Sequence, residues 1–192
     1  MIVSTSHKFV FIGIPKTGST SARVMLSKYH DMSQNERLNL RQHTKLPEIL
    51  QIDSNITQYK SCCFVRNTWD RLLSAYLQLM RNPRWYPRLP LYREWLLSLD
   101  QQNIHKHILT TPQHVFINDT TRVFRFDNYQ QQIREMYEYL QIETPDTILD
   151  MNKSNTWYKD IRKPQLDTQA IEHVGNLYAT DNEQFHFEYN AP

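Results

Sequence analysis

The sequence predicts an α/β fold built on a parallel sheet, and three observations carry that reading. Two compact apolar runs, Phe9–Ile12 and Ser61–Val65, show no alternation, as expected of strands buried on both faces. Each run gives way at once to a polar loop, Gly13–Gly18 after the first and Arg66-Asn67 after the second. Each loop is followed by apolar residues at helical spacing: Ala22, Met25, Leu26 and Tyr29 in one case, and Leu72, Leu73, Tyr76, Leu77 and Met80 in the other.

Length and composition set the bounds. The 192 residues suit a single domain over 1–192 with a substantial core. Only three glycines, and no repeat or Gly/Ser-rich run, argue against a linker or low-complexity segment. Lys plus Arg outnumber Asp plus Glu by 22 to 20, so the net charge of +2 gives no case for nucleic acid or a membrane surface as partner. No apolar run is long enough to span a bilayer and Met1–Lys8 lacks a leader pattern, which gives the expectation of a soluble, cytoplasmic protein. Cys62 and Cys63 are adjacent, without spaced partners for a disulfide framework or a zinc site, and are expected to be buried strand thiols.

The first loop has the chemistry of an anion site. It lies between a strand end and a helix start, where unpaired N–H groups and the helix dipole favour negative charge. Gly18 lets the backbone approach closely, Lys16 brings a full charge, and Thr17, Ser19, Thr20 and Ser21 offer hydroxyls. It departs from the nucleotide-triphosphate pattern G-x-x-x-x-G-K-S/T, because Ser19 stands where the lysine belongs and the lysine is inside the loop. Lys16–Ser21 instead resembles the 5′-phosphosulfate loop of sulfotransferases that use 3′-phosphoadenosine 5′-phosphosulfate (PAPS), particularly the carbohydrate sulfotransferase branch.

Residues 30–60 read as polar connection, with Arg41–Leu50 a loop leading into a short helix and His43 just ahead of the turn. After Ser61–Val65, Asn67 is a plausible helix N-cap with Asp70 three residues on, so Arg66 stands at a strand's carboxyl end and Ser74 about two turns into the helix. Cys63–Tyr76 looks like the second signature of the same family, in which an arginine and a serine eight residues later hold the cofactor's 3′-phosphate; Arg66 and Ser74 have that spacing. Thr68 departs from the family's usual proline, at a position that pre-sets the first helical turn.

Further on, Arg81, Arg84, Arg88 and Arg93 stand among Trp85, Tyr86, Tyr92 and Trp95. That mixture suits a sugar or anionic acceptor, although Tyr92, Trp95, Leu96 and Leu99 equally have the spacing of a core-facing stripe. His105, His107 and His114 lie in loop-like sequence, and no metal is assigned. Val115–Ile117 and Val123–Phe126 read as short strands, the second followed by a helix from Asp127 or Asn128 through Leu140. Another helix starts at Asp167. Within the polar stretch Asn152–Asn155, Lys153 is a candidate to add charge over the nucleotide, as a late segment does in the family.

The resemblance implies a P-loop-like, three-layer fold, with a central parallel sheet of about four or five strands flanked by helices. It implies transfer of a sulfuryl group from PAPS to a hydroxyl-bearing acceptor, with a saccharide favoured and no metal required. In that scheme Lys16 acts on the leaving phosphate, the rest of the loop holds the 5′ end, and Arg66 and Ser74 select the 3′-phosphate. His43, in an Arg-Gln-His-Thr context similar to an upstream histidine of the carbohydrate branch, is favoured as general base over Glu48, His107 and His114. A P-loop kinase is the first alternative but leaves Arg66 and Ser74 unexplained, and a non-catalytic nucleotide-binding module is the second.

Overall fold

The structure is a computed structural model that describes all residues except 34–36, 39, 83–87 and 150–163. Lys153 and the aromatic pair Trp85 and Tyr86 lie outside the described residues. The chain divides into two compact units, one of Met1–Val65 with residues 115–149 and the other of Arg66–His114 with residues 164–192.

The first unit is built on a four-stranded sheet in the order β1 (Ile2–Ser4), β2 (Phe9–Ile12), β3 (Lys60–Val65), β4 (Arg122–Arg125). β2, β3 and β4 are parallel, with Phe11 opposite Cys62 and Phe64 opposite Phe124. Paired residues on neighbouring strands share a face. On one face Ile2, Phe9, Phe11, Cys62, Phe64 and Phe124 pack against Ala22 and Leu26 of α1 (Ser19–Leu26) and against Ile133, Met136, Tyr137 and Leu140. The last four belong to α5 (Tyr129–Leu140). On the opposite face Val3, Val10, Ile12, Cys63 and Val65 are buried as well, which is why these runs carry no polar alternation. Both thiols are fully buried, and burial pushes them above the ordinary thiol range.

Two details differ from the sequence reading. The sheet is not wholly parallel, because Ile2–Ser4 pairs antiparallel with β2 as an edge strand. Val115–Ile117 is not a strand; His114–Phe116 forms a 3-10 turn. The stretch before β3 carries α2 (Leu46–Ile52), with Pro47 in its first turn, and a 3-10 segment over Ser54–Gln58.

In the second unit, α3 (Thr68–Met80), α4 (Tyr92–Leu97), α6 (Thr168–Leu177) and α7 (Ala179–Phe185) frame a core of their own, α5 being the helix Tyr129–Leu140 of the first unit. That core includes Trp69, Leu72, Tyr76, Trp95, Leu96, Val174 and Tyr178. The side chain of Asn67 caps α3 by accepting from the N–H groups of Trp69 and Asp70, and Asp167 caps α6 through Ala170. The unusual Thr68 is fully buried and donates from Oγ1 to Asn182 Oδ1 at 2.6 Å, so the hydroxyl ties α3 to α7 where proline would offer only a preset φ.

The basic and aromatic middle resolves towards structure. The rings of Tyr76, Tyr92 and Trp95 lie 5.1–6.2 Å apart in the core. Arg93 bonds to Asp167 at 2.6 Å and to Gln169 at 2.7 Å. Of the two readings of this stretch, the core-facing stripe is the one the structure realises for Tyr92 and Trp95. No helix among the described residues is long and apolar enough to cross a membrane, and no described cluster of His, Cys, Asp and Glu could hold a metal ion.

Candidate active site

The loop Gly13–Gly18 leaves the carboxyl end of β2, the same edge of the sheet at which the parallel β3 ends at Val65. Its conformation is specialised at two positions: Lys16 has φ 68° and Gly18 has φ 76°. Left-handed residues in a short loop turn successive N–H groups inward, as anion-binding nests do. α1 then begins at Ser19 with no side-chain cap, unlike α3 and α6, and with no acidic residue in its first turn. Its positive end is therefore left to the backbone and to Lys16.

The hydroxyls divide into two groups. Thr17 Oγ1 and Ser19 Oγ both donate to the carbonyl of Ile14, at 2.9 and 2.8 Å, and both side chains are buried. They brace the loop internally through one shared acceptor. Thr20 is exposed and Ser21 is buried.

Gly18 is walled in by the β4–α5 junction. A Cβ there would stand 2.7 Å from Phe126 Cε2 and 2.9 Å from Tyr129 Cε2, and the Tyr129 hydroxyl donates to the Gly18 carbonyl at 3.1 Å. Gly18→Ala is expected to destabilise the protein by about 2–5 kcal/mol, from the left-handed backbone and the ring overlap together. Chemical denaturation measures this; a loss below about 1 kcal/mol would mean that the rings give way freely.

His43 meets the same loop. Its Nδ1 bonds to the carbonyl oxygen of Gly13, and because a carbonyl only accepts, Nδ1 carries the proton. In the neutral ring the basic electron pair is thereby assigned to Nε2. Burial lowers the imidazole pKa below its ordinary value; the Gly13 bond opposes the shift, and the charges of Arg23 and Lys16 add to it. His43 is thus neutral at pH 7 and within electrostatic reach of Lys16. Gly13 allows the close approach, since a Cβ there would be 2.8 Å from the Gln42 carbonyl.

The other candidate bases are engaged elsewhere. Glu48 Oε2 accepts from the Lys45 N–H at 3.4 Å at the start of α2. In the second unit, His107 Nδ1 accepts from the Leu109 N–H, and His114 Nδ1 donates to the buried Asp181 at 2.7 Å.

Arg66 and Ser74 belong to the second unit, and both are half-buried. Arg66 occupies the single residue between β3 and the N-cap Asn67, and Ser74 lies within α3. Sequence reasoning passed over Gln113, whose side-chain amide bonds to both backbone groups of Arg66, and over Phe126 and Tyr129, which enclose Gly18. Their signals are long-range pairings with no local pattern.

A strand, an uncapped loop with two left-handed residues and an internal lysine, a helix, and a neutral histidine bound to that loop together make an α/β strand-loop-helix unit. Residues 1–188 match the profile of the sulfotransferase family, and the chain belongs to that family. It is accordingly a transferase of sulfuryl groups. Among solved structures it is similar to a sulfotransferase from Alicyclobacillus acidocaldarius, at 16% identity over 98% of this chain and 95% of that one, with a TM-score of 0.47. No curated protein matches the chain significantly.

Proposed function

We propose that the protein transfers the sulfuryl group of PAPS to a hydroxyl of an acceptor, with a saccharide as the acceptor class. The observation that carries this reading is the bond from His43 to Gly13, which fixes an imidazole on the loop that contains Lys16. The saccharide rests on the resemblance of Lys16–Ser21 and of the Arg41–Thr44 context to the carbohydrate branch.

The chemistry follows from the donor set. Lys16 and the backbone N–H groups of Thr17, Gly18, Ser19, Thr20 and Ser21 take the 5′-phosphosulfate, with charge assistance as negative charge grows on the leaving oxygen. His43 Nε2 accepts the proton of the acceptor hydroxyl as its oxygen bonds to sulfur in line with the breaking bond from sulfur to the 5′-phosphate oxygen. The products are a sulfate ester and 3′-phosphoadenosine 5′-phosphate (PAP), with the proton on His43 then passing to solvent. Arg66 and Ser74 hold the 3′-phosphate, a group ATP lacks, and so decide between the two nucleotides. No step calls on a metal ion.

Incubation with PAPS and a panel of saccharides, simple alcohols and phenols tests this. PAP should appear in step with a sulfated saccharide, at a rate unaffected by EDTA. Consumption of ATP that requires Mg²⁺, without PAP release from PAPS, would overturn the reading in favour of a kinase.

A further inference from the structure

We infer that Gln113 is a positioning residue for the 3′-phosphate contact: its side-chain amide clamps the backbone of Arg66, and the buried carboxylate of Asp181 locks the clamp. The inference rests on the assignment of Arg66 made above, and it adds two residues that no motif around Arg66 contains.

Arg66 sits where the chain has left the β3 ladder and has not yet entered α3. In such a position the backbone N–H and C=O rely on side-chain or loop partners to fix their direction. Gln113 takes both groups. Its Oε1 accepts from the Arg66 N–H at 2.9 Å, and its Nε2 donates to the Arg66 carbonyl at 2.9 Å. One amide thus acts as a further rung of strand pairing and fixes the direction in which the Arg66 side chain departs. The next residue is held as firmly, since Asn67 Nδ2 donates to the Glu188 carbonyl at 2.7 Å while its Oδ1 caps α3.

The clamp is itself held from α7. The Gln113 backbone N–H donates to Asp181 Oδ2 at 2.7 Å. Asp181 Oδ1 receives the His114 N–H at 2.9 Å and His114 Nδ1 at 2.7 Å. Gln113 and Asp181 are both completely buried. Burial alone would raise the Asp181 carboxyl, but the His114 bond, the charge of Arg71 and the two backbone N–H groups outweigh it and hold the group ionised. A buried carboxylate is costly unless fully bonded, and this one spends its bonds on the two residues that present the amide.

An arginine launched from a fixed backbone loses less freedom when it closes on a phosphate, and fixing one residue in advance corresponds to about tenfold in affinity. Removing the clamp should weaken the 3′-phosphate contact and leave the rest of the nucleotide site alone. That separates positioning from a general contribution to folding.

The test compares PAP with AMP, which lacks the 3′-phosphate, on wild type and Gln113→Met, a change that keeps the side chain's length and removes both hydrogen bonds. Amide hydrogen exchange at Arg66 is followed in the same samples. Exchange at Arg66 should speed up by about tenfold or more, PAP affinity should fall about tenfold, and AMP affinity should stay within about twofold. An unchanged ratio of PAP to AMP affinity despite faster exchange would overturn the inference, as would an equal loss for both nucleotides, the mark of a purely structural role. Wild type that fails to prefer PAP over AMP would instead remove the assignment of Arg66, and the clamp's function with it. If Gln113→Met does not fold, Gln113→Asn, one methylene too short to reach both groups, is read by the same measurements.

Discussion

Lys16→Ala is expected to lower kcat for sulfuryl transfer by about 10²–10³-fold, the usual consequence of removing one preorganised donor from a developing negative charge. The loss should appear mainly in kcat, because the lysine's charge matters most as the bond from sulfur to the phosphate oxygen breaks. The backbone at Lys16 supplies an internal control. With φ at 68°, the lysine occupies a conformation that costs an L-residue about 1–2 kcal/mol, and glycine would relieve that strain. The extra freedom glycine gives the unfolded chain offsets part of the relief, about 0.4–1 kcal/mol. Lys16→Gly should therefore be at least as stable as wild type and as inactive as Lys16→Ala. Steady-state kinetics beside thermal denaturation decides the matter: a Lys16→Gly enzyme with near-normal kcat would show that the residue serves loop geometry alone.

The second large effect belongs to His43. His43→Ala should reduce kcat/KM by about 10²–10⁴-fold, the range for loss of a positioned general base. The pH profile adds a sign. A base works unprotonated, and burial lowers the His43 pKa from its ordinary 6.5. Activity should accordingly be on its plateau at neutral pH and fall only as pH drops through that lowered value. The acid limb should lie below pH 6.5 and vanish in His43→Ala. A His43→Ala enzyme that keeps most of its turnover and the same acid limb would assign the proton to another group.

How far the sequence disclosed this protein depends on the distance over which each feature is decided. The non-alternating runs Phe9–Ile12 and Ser61–Val65 report burial on both faces directly, and the caps Asn67 and Asp167 mark helix starts by residue type alone. Ile2–Ser4 was not legible, because three residues are too few for a period and their partner strand supplies the pairing. Val115–Ile117 misled because three apolar residues serve a buried turn as well as a strand, and His114, beside them, is tied to Asp181. In the loop, residue types announced hydroxyl donors at Thr17 and Ser19 but could not announce their direction, which is towards Ile14. The contacts from Tyr129 to Gly18 and from Gln113 to Arg66 join residues far apart in the chain, and nothing local encodes them.

The most direct test of the account is calorimetric binding of PAP to wild type and Arg66→Ala, with ADP and AMP as controls. A charge-assisted hydrogen bond to phosphate corresponds to about 1.5–3 kcal/mol, so wild type should favour PAP over AMP by roughly 10- to 100-fold. Arg66→Ala should abolish that preference while leaving AMP binding nearly unchanged. Equal or tighter binding of ADP by the wild-type protein would contradict a 3′-phosphorylated donor.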